Sequence, residues 1–129
     1  MNDNIEPTTS CNITVIRGNV HGEPHVRDLP AGGVVAQFDV TTRIRCDGRD
    51  SSVSVPVAWT DPSTAQLGVL LAGAEVVVVG TVRRRFFRVG GSTQSRTEVV
   101  AEAVIPTRRR KRVDAALREA AERLLDLAA

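Results

Sequence analysis

Hydrophobic and polar residues alternate most regularly over residues 34–45. The apolar set runs from Val34 to Ile44, and the polar set between its members ends with Arg43 and Arg45. A period of two is the pattern of a β-strand with one buried face and one solvated face. We therefore predict a strand over 34–45 whose polar face carries two arginines, either as solvated strand-end charges or as part of a binding surface.

Residues 52–59 continue the alternation, with three valines and Trp59 on one face. Taken alone, this pattern places Trp59 in the core. Pro56 interrupts the pattern because proline cannot donate a ladder hydrogen bond, so the strand is expected to lie at an edge or to contain a bulge. A bulge would move Trp59 to the other face. The pattern alone leaves both positions of Trp59 open.

Residues 75–88 follow a different pattern, in which four consecutive valines lead through Gly80 into three arginines and two phenylalanines. The apolar run predicts a buried strand that continues outward as a charged, aromatic surface. Alternation places Arg83, Arg85 and Phe87 on one face and Phe86 on the other, where we expect Phe86 to pack. Arginines beside aromatic rings suit a groove for a polyanionic chain that carries bases.

The remaining segments of the chain supply further elements. Residues 12–20 predict a strand with a bend or bulge near Gly18, and 21–33, dense in glycine and proline, predict a loop or a broken hairpin. A short helix is expected between Asp61, as its cap, and Gly73. Residues 96–105 predict a last strand, after a flexible connection, with Glu98 and Glu102 facing outward.

The order of three strands, a short helix and two strands predicts an all-β domain over 11–106. It fits a five-stranded OB-fold barrel with the helix between strands 3 and 4. Residues 1–10 are expected to be a flexible lead. Residues 107–129 are expected to form a basic linker and a C-terminal amphipathic helix.

The basic linker contains five consecutive cations over 108–112, which either extend a phosphate-binding track or serve as a solubilising linker. The helix after it has apolar residues at helical spacing, namely Val113, Leu117, Ala120, Leu124 and Leu127. This helix would dock on its own barrel, remain a plain surface helix, or pair with another subunit through Leu117 and Leu124.

Composition excludes several classes of protein. The formal net charge is only +2, so charge alone does not establish a polyanionic partner. Cys11 and Cys46 lack metal-ligand spacing, and Pro24 between His21 and His25 argues against a helical metal pair. We expect a cytosolic protein with free thiols, no cofactor and no membrane span. The sequence contains no carboxylate pair, nucleophile triad or phosphate-binding glycine loop at usable spacing, so an enzyme is not expected.

Several short motifs occur in a characteristic order along residues 12–105. They are N-x-x-V-x-x-G at Asn12, Val15 and Gly18; G-x-P-x-x-R at Gly22, Pro24 and Arg27; P-x-G-G-x-V-A-x-F over 30–38; a tryptophan at Trp59; a glycine and valine run over 73–82; and T-E-V-V over 97–100. Together they resemble the bacterial single-stranded DNA-binding protein family. That resemblance implies an OB-fold subunit, usually of a homotetramer, that binds single-stranded DNA without reading its sequence.

The resemblance also implies roles for individual residues. Trp59 and Phe87 match base-stacking positions, which favours the groove face for Trp59. Two other stacking positions hold Cys46 and Val53 here, so binding is expected to be weaker and more sensitive to salt. The family's Gly/Pro-rich tail with an acidic, Phe-terminated tip is replaced by residues 126–129 within a predicted helix. The chain thus resembles a tail-less paralogue, and recruitment of repair enzymes through such a tip is not expected.

The resulting hypothesis is sequence-independent binding of single-stranded DNA in replication, recombination, repair or a stress response, in a nucleoid-associated, homotetrameric protein. RNA stays open as a ligand. The candidate DNA-binding residues are Arg43, Arg45, Trp59, Arg83, Arg85, Phe87, Arg88 and Arg96. The alternative hypothesis is an OB-fold adaptor or assembly subunit with a degenerate groove and the C-terminal helix as its partner site.

Overall fold

The computed structural model describes residues 10–128, with side chains to residue 126, so the predicted lead over 1–10 lies outside the described residues except for Ser10. The elements are β1 (Thr14–Asp28), β2 (Val34–Cys46), β3 (Arg49–Thr60), α1 (Thr64–Leu67), β4 (Glu75–Val89), β5 (Ser92–Pro106) and α2 (Arg110–Ala128). The strands close into a barrel in the order β1-β2-β3-β5-β4. The predicted fold, an OB-fold barrel with a helix between its third and fourth strands and a C-terminal helix, is confirmed.

The interior of the barrel is filled by side chains at alternate positions of the strands, as the period of two predicts. Phe38 and Trp59 are the two large rings in this core, and valines fill most of the remaining space. Leu70, from the segment after α1, packs against the same cluster. The alternation predicted for β2 and β3 therefore places the barrel-facing side chains correctly along most of each strand. Near the hairpin turn the prediction fails, because Ile44 and Val53 are 42% and 37% exposed.

The valine run of β4 is buried on both faces. Val76 and Val78 point into the barrel, whereas Val77 and Val79 point outward and pack beneath α2. A continuous apolar run is what a strand covered on both sides requires. The C-terminal helix therefore docks on its own barrel, which is one of the three possibilities that the sequence left open.

Polar contacts at Glu75 link β4 to Thr107, just before α2, and to Arg17 of β1. The Thr107 hydroxyl donates to the Glu75 backbone carbonyl at 3.4 Å, and Arg17 Nη2 lies 3.0 Å from Glu75 Oε1. Thr107 and Arg17 together hold the pKa of the exposed Glu75 carboxyl below its usual value. Because the folded-state pKa is lowered, this contribution to stability is present at neutral pH and is lost on acidification.

The first strand is longer than predicted. Residues 21–28 were expected to be loop, but β1 continues to Asp28, and its register on β2 shifts between His21 and His25. Gly22 has a positive φ of 72° within this bulge. The glycine and proline that indicate a loop are therefore accommodated as an irregularity inside a strand.

Both hairpin turns are shorter than predicted, so the strands beside them extend further. Asp47 and Gly48, with φ of 52° and 75°, form a two-residue turn between Cys46 and Arg49. Gly90 and Gly91 do the same between β4 and β5. Positive φ at both central positions is the geometry that favours Asp-Gly and Gly-Gly in hairpins.

The cap of α1 also differs from prediction. Ser63 is the N-cap, with a reciprocal capping box to Gln66. Asp61 was expected to cap this helix, but its carboxylate accepts a hydrogen bond from the Val34 amide at 2.8 Å. Asp61 therefore joins the end of β3 to the start of β2.

A bulge at Gly80 changes the pairing of the two longest strands. Val79 pairs with Ala103 and Gly80 pairs with Ala101, so Glu102 has no partner on β4. A Cβ atom on Gly80 would lie 2.1 Å from the Val100 carbonyl oxygen. Glycine is required here because the backbone of β5 occupies the place of a side chain.

We expect Gly80→Ala to destabilise the protein by about 1–3 kcal/mol, because the methyl group would overlap main chain that cannot rotate away. Val82→Ala is the control, because Val82 lies two residues further along β4 and its side chain is exposed. It should change stability by less than about 0.5 kcal/mol. Urea unfolding of both variants measures the difference. Equal midpoints would show that the bulge tolerates a side chain.

Candidate nucleic-acid interface

Beyond Gly80, β4 pairs only with β5 in the described part of the chain. The two strands form an arm, which we define as residues 81–98. Its outer face carries Arg83, Arg85 and Phe87, with Glu98 and Arg96 opposite them on β5. Cross-strand partners point to the same side of a sheet. The prediction that Arg83, Arg85 and Phe87 share one face agrees with this register.

Glu98 lies between the two arginines of the outer face. Arg83 donates to Glu98 Oε2 from Nη2 at 2.8 Å and from Nε at 3.2 Å. Arg85 Nε lies 3.4 Å from Glu98 Oε1, which is an ion pair without hydrogen-bond geometry. Glu98 is only 3% exposed, so its charge is held close to both guanidinium groups. The carboxylate of Glu98 thus partly neutralises the positive charge of the outer face of the arm.

Arg85 also covers the ring of Phe87. Its guanidinium carbon lies 5.4 Å from the ring centroid, within the range of a cation–π interaction. Phe87 is half-buried as a result, whereas the prediction assumed an open ring. A base that stacks on Phe87 would use its free surface or displace the arginine.

Arg96 extends this face toward β2. Its Nη2 lies 3.8 Å from Asp39 Oδ1 across the intervening strand β3. Beside this pair is a polar cleft of about 160 Å³, lined also by His21 and His25 from the bulge of β1. The outer surface therefore continues from the arm to the irregular part of β1, and sequence reasoning missed the two histidines because it placed them in a loop.

The other predicted arginines lie at the ends of the two hairpins. Arg43 and Arg45 are exposed near the β2–β3 turn, and Arg45 Nη1 lies 3.5 Å from Asp50 Oδ1. Arg43 has no ion-pair partner among the described residues. Arg88 donates to the Gly91 carbonyl at 3.1 Å and so stabilises the turn of the arm. These three arginines do not form one cluster with Arg83 and Arg85.

Trp59 does not join this surface, and the preference for its groove face is wrong. Its side chain is 5% exposed and belongs to the barrel core. The register of β3 on β2 runs without a shift through Pro56, so no bulge turns Trp59 outward. Pro56 lies just before the short ladder between β3 and β5, at a position where β3 pairs with β2 alone. The missing amide donor is therefore tolerated. The alternation of β3 was the correct guide.

Phe86 lies on the opposite face of the arm, and the expectation that it packs is also wrong for the described chain. Its side chain is 65% exposed. Arg84 and Arg88 share this inner face by alternation. The arm therefore presents an aromatic ring and arginines on each side, and the ion pair between Arg96 and Asp39 links its outer side to β2.

Less of the basic run over 108–112 forms a linker than predicted. Arg110, Lys111 and Arg112 form the first turn of α2, and of the basic run only Arg108 and Arg109 lie in the connection to β5. All five side chains are exposed and line one open surface at the start of α2. Their cationic surface is separate from the outer face of the arm in sequence and in elements.

The described part of the chain offers little for other kinds of site. No group of three or more histidine, cysteine, aspartate or glutamate side chains there could hold a metal ion. Cys11 and Cys46 are free and exposed. Between residues 10 and 128, no helix is long and apolar enough to cross a membrane. The arginine and aromatic surface is thus the principal feature that suggests a ligand.

Comparison with known proteins supports the fold. No protein-family model matches the sequence, and no curated protein matches it either. Among solved structures, the chain is similar to the single-stranded DNA-binding protein of Plasmodium falciparum in complex with single-stranded DNA, with a TM-score of 0.67 and 21% sequence identity. The similarity covers 78% of this chain and 98% of the other. At this identity, the comparison shows that the chain shares the OB-fold of that protein.

Proposed function

We propose that the protein binds single-stranded nucleic acid, with single-stranded DNA as its principal ligand, on the outer face of the arm. The observation that carries this proposal is the pairing of Arg85 with Phe87 on the face that also holds Arg83 and Arg96. An aromatic ring offers a surface to any base, and arginines beside it neutralise the backbone phosphates. Binding by these means does not depend on base sequence.

The shared fold supports the same proposal. A protein with this barrel forms a complex with single-stranded DNA, and the outer face described above lies on the corresponding kind of scaffold. We propose no catalytic role. Replication, repair and recombination, a nucleoid location and a tetrameric assembly belong to the same proposal and rest on the resemblance of the sequence motifs.

Binding is expected to involve fewer stacked bases than the sequence predicted. Trp59 is unavailable because it lies in the core, which leaves Phe87 as the aromatic residue of the outer face. Arg83 and Arg85 share the carboxylate of Glu98, and Arg96 is paired with Asp39, so the net positive charge of the face is reduced. We therefore propose modest affinity with a strong dependence on salt.

Phe87→Ala tests the proposal. Loss of one stacked base costs about 1–3 kcal/mol, which corresponds to an affinity about 5- to 150-fold weaker. Fluorescence anisotropy of a labelled oligothymidine at low salt measures this change. Phe86→Ala is the matched control, because it removes the same ring from the adjacent position on the inner face.

The control should bind within about twofold of the wild type, since a surface change away from the site alters free energies by about 0.5 kcal/mol or less. A larger loss for Phe86→Ala than for Phe87→Ala would place the binding surface on the inner face. Absence of binding by the wild-type protein at low salt would refute the proposed function.

One observation supports the adaptor hypothesis: Glu98 forms ion pairs with both Arg83 and Arg85 and so offsets part of their positive charge. A face that serves protein assembly tolerates such pairing better than one that must attract phosphates. Truncation after Thr107 does not separate the two functions, because it would also expose Val77 and Val79. The Phe87→Ala variant in the full chain separates them.

A further inference from the structure

The basic run over 108–112 places five consecutive cations at the start of α2. Its four arginines and one lysine are all exposed, and they border one open surface. None of the five takes part in an ion pair with another described residue. Like charges held this close repel one another, so the arrangement costs stability unless an anion offsets it.

Two carboxylates lie beside the basic run, but each has another partner. Asp114 follows the run on α2 and forms an ion pair with Arg118 at 2.8 Å. Glu75, whose backbone carbonyl accepts a hydrogen bond from Thr107, forms its ion pair with Arg17 at 3.0 Å. The basic run therefore differs from the arginines of the arm, which share a carboxylate with each other.

Two members of the basic run also line a cleft beside α1. Arg109 and Arg112 border a space of about 380 Å³ together with Ser63 and Gln66. We call this space the donor cleft and define it by these four residues. In the capping box of α1, the Ser63 hydroxyl oxygen and the Gln66 side-chain oxygen accept hydrogen bonds from backbone amides. The hydroxyl hydrogen and the side-chain amide nitrogen are thus left to donate.

The chemistry of the donor cleft suits phosphate. Its polar side chains offer two guanidinium groups, a hydroxyl and an amide as donors, and no carboxylate of the described chain lines it. Guanidinium groups bind phosphate oxygens in bidentate fashion, and hydroxyl and amide groups commonly contact the same oxygens. A carboxylate in the cleft would repel such a ligand, and none is present among these lining residues.

The spread of the cations favours a chain of phosphates over a single one. Arg110 lines a different cleft, toward Arg17 of β1, so the basic run extends to both sides of the start of α2. Basic segments of this length are typical of surfaces that bind nucleic acids. The ligand that fits this surface is therefore the phosphate backbone of a nucleic acid.

The surroundings of the basic run indicate which form of nucleic acid it suits. Among the described residues, no aromatic ring lines the donor cleft or the open surface of the run, so bases have no ring to stack on. Contacts to phosphates alone do not need unpaired bases. Duplex DNA carries one negative charge for about every 1.7 Å of its axis, which is about twice the density of one of its strands. A surface that acts through charge thus favours a duplex.

The basic run and the arm lie toward opposite ends of one ladder. Pro106 pairs with Val76 just before the run, whereas Arg83 pairs with Glu98 in the arm. Glu98 and Pro106 are eight positions apart on β5, which corresponds to roughly 25 Å of extended strand. A ligand bound on one of these surfaces therefore need not cover the other.

We propose that the basic run and the donor cleft form a second nucleic-acid site, which binds the phosphate backbone of double-stranded DNA. The site acts through charge and through hydrogen bonds to phosphates, so it does not read base sequence. It goes beyond the single-strand binding proposed for the arm, because it uses other residues and another form of the ligand. With both surfaces occupied, one molecule holds a single strand and a duplex together.

Fluorescence anisotropy of a labelled, blunt-ended DNA duplex at several salt concentrations tests the site. The full-length protein is expected to bind the duplex. Replacing both arginines of the donor cleft, Arg109→Gln with Arg112→Gln, should weaken binding and make the slope of log affinity against log salt shallower by about 1.8, because each phosphate contact on a duplex accounts for about 0.9. An unchanged slope in this variant, or no duplex binding by the wild type at low salt, overturns the proposal.

Arg27→Gln with Arg49→Gln is the matched control. It makes the same change in net charge at two exposed arginines of β1 and β3, which also have no ion-pair partner among the described residues. This control should keep the wild-type slope. An equal loss of slope in the control would show that net charge alone attracts the duplex, contrary to the proposal.

A charge-preserving variant separates the role of the cations from a structural role. Arg109→Lys with Arg112→Lys retains both charges and should keep most of the salt slope that the glutamine variant loses. Circular dichroism verifies that both variants are folded. If the lysine variant lost as much of the slope as the glutamine variant, the loss would not come from charge, and the proposed site would be wrong.

Phe87→Ala separates this site from the arm. It should leave the affinity for the duplex within about twofold of the wild type, since a change away from a site alters free energies by about 0.5 kcal/mol or less. A labelled oligothymidine of about eight nucleotides, within the usual site size of one OB-fold, should stay bound in the presence of saturating unlabelled duplex. Complete displacement would show a single shared surface and overturn the proposal.

The two proposals fail in different measurements. Absence of oligothymidine binding refutes the function proposed for the arm, whereas absence of duplex binding refutes the second site. Sedimentation of the protein with vesicles of an anionic phospholipid, without binding to the duplex, would assign the basic run to a membrane surface and also refute the second site.

Discussion

Replacing Trp59 by alanine is expected to lower the free energy of unfolding by about 3–5 kcal/mol, the range for deleting a buried aromatic side chain. Trp59 has Ala36 and Ala101 as its partners on the neighbouring strands, and both alanines are buried. These small residues make room for the indole inside the barrel, and alanines at both ladder positions would not fill the cavity that its loss leaves. Small domains are stable by only about 5–15 kcal/mol, so the loss is a large share of the total.

Thermal and urea unfolding measure the effect of Trp59→Ala. Phe86→Ala is a suitable control, because it removes an aromatic ring that is mostly exposed. The control should unfold within about 0.5 kcal/mol of the wild type. If both variants lost the same stability, the position of Trp59 within the core would be wrong.

The same residue provides a spectroscopic test. Trp59 is the single tryptophan, and the chain has no tyrosine. Its emission should be that of a buried indole, and titration with an oligonucleotide should leave it unquenched, because no base can stack on a ring inside the barrel. Quenching by direct stacking was the expectation for a groove-facing tryptophan. Anisotropy of a labelled oligonucleotide is therefore the appropriate measurement of binding.

Replacing Glu98 by glutamine is expected to strengthen binding to single-stranded DNA at low salt while weakening the fold. The change removes the carboxylate that Arg83 and Arg85 share, so both guanidinium groups become available to phosphates. Each added phosphate contact contributes about −0.7 to the slope of log affinity against log salt on single strands. A steeper slope by about 0.7–1.4 is expected for one or two new contacts.

The cost in stability arises because Glu98 is buried and hydrogen-bonded to a charged partner. Loss of such a bond costs about 1.5–3 kcal/mol, and the amide oxygen of glutamine recovers part of it. Glu102→Gln is the control. It lies on the same strand, outside the arm, and breaks an ion pair with Arg123 of the same 2.8 Å length, although Glu102 is much more exposed than Glu98. An unchanged salt slope for Glu98→Gln would show that Arg83 and Arg85 do not contact phosphates.

Much of the fold follows from the alternation of residues. The strands are predicted from alternation or, for β4, from a continuous apolar run, and the short helix is predicted from its capping and glycine signals. The ends of the strands were harder to predict from the sequence. Proline and glycine over 22–24 indicated a loop, whereas tertiary pairing with β2 holds them in a bulge.

The candidate site was predicted less completely than the fold. Arg83, Arg85 and Phe87 do share a face, but the carboxylate between the arginines was missed. The signal was present, since a two-residue turn at Gly90 and Gly91 fixes a register in which Arg83 faces Glu98. Recognising that Gly-Gly turn would have revealed the ion pair.

The two aromatic misassignments have different physical causes. For Trp59, resemblance to a family outweighed a periodicity that was correct. For Phe86, periodicity gave the correct face but could not give its exposure, because the arm continues beyond the barrel and has no core on either side. Alternation predicts which residues share a side, and only the tertiary structure determines whether that side is covered.

Beyond the bulge at Gly80, the alternation of residues along the arm bears on how the sequence of this protein can change over time. Because a strand has two sides, gain or loss of one residue between Gly80 and Arg83 would exchange the outer and inner faces of the arm. Here both alternate sets, one with Arg83, Arg85 and Phe87 and the other with Arg84, Phe86 and Arg88, contain arginine and phenylalanine. A single-residue insertion or deletion would ordinarily turn the binding side chains of a strand to the wrong face. Here it would leave an aromatic ring and arginines on both sides.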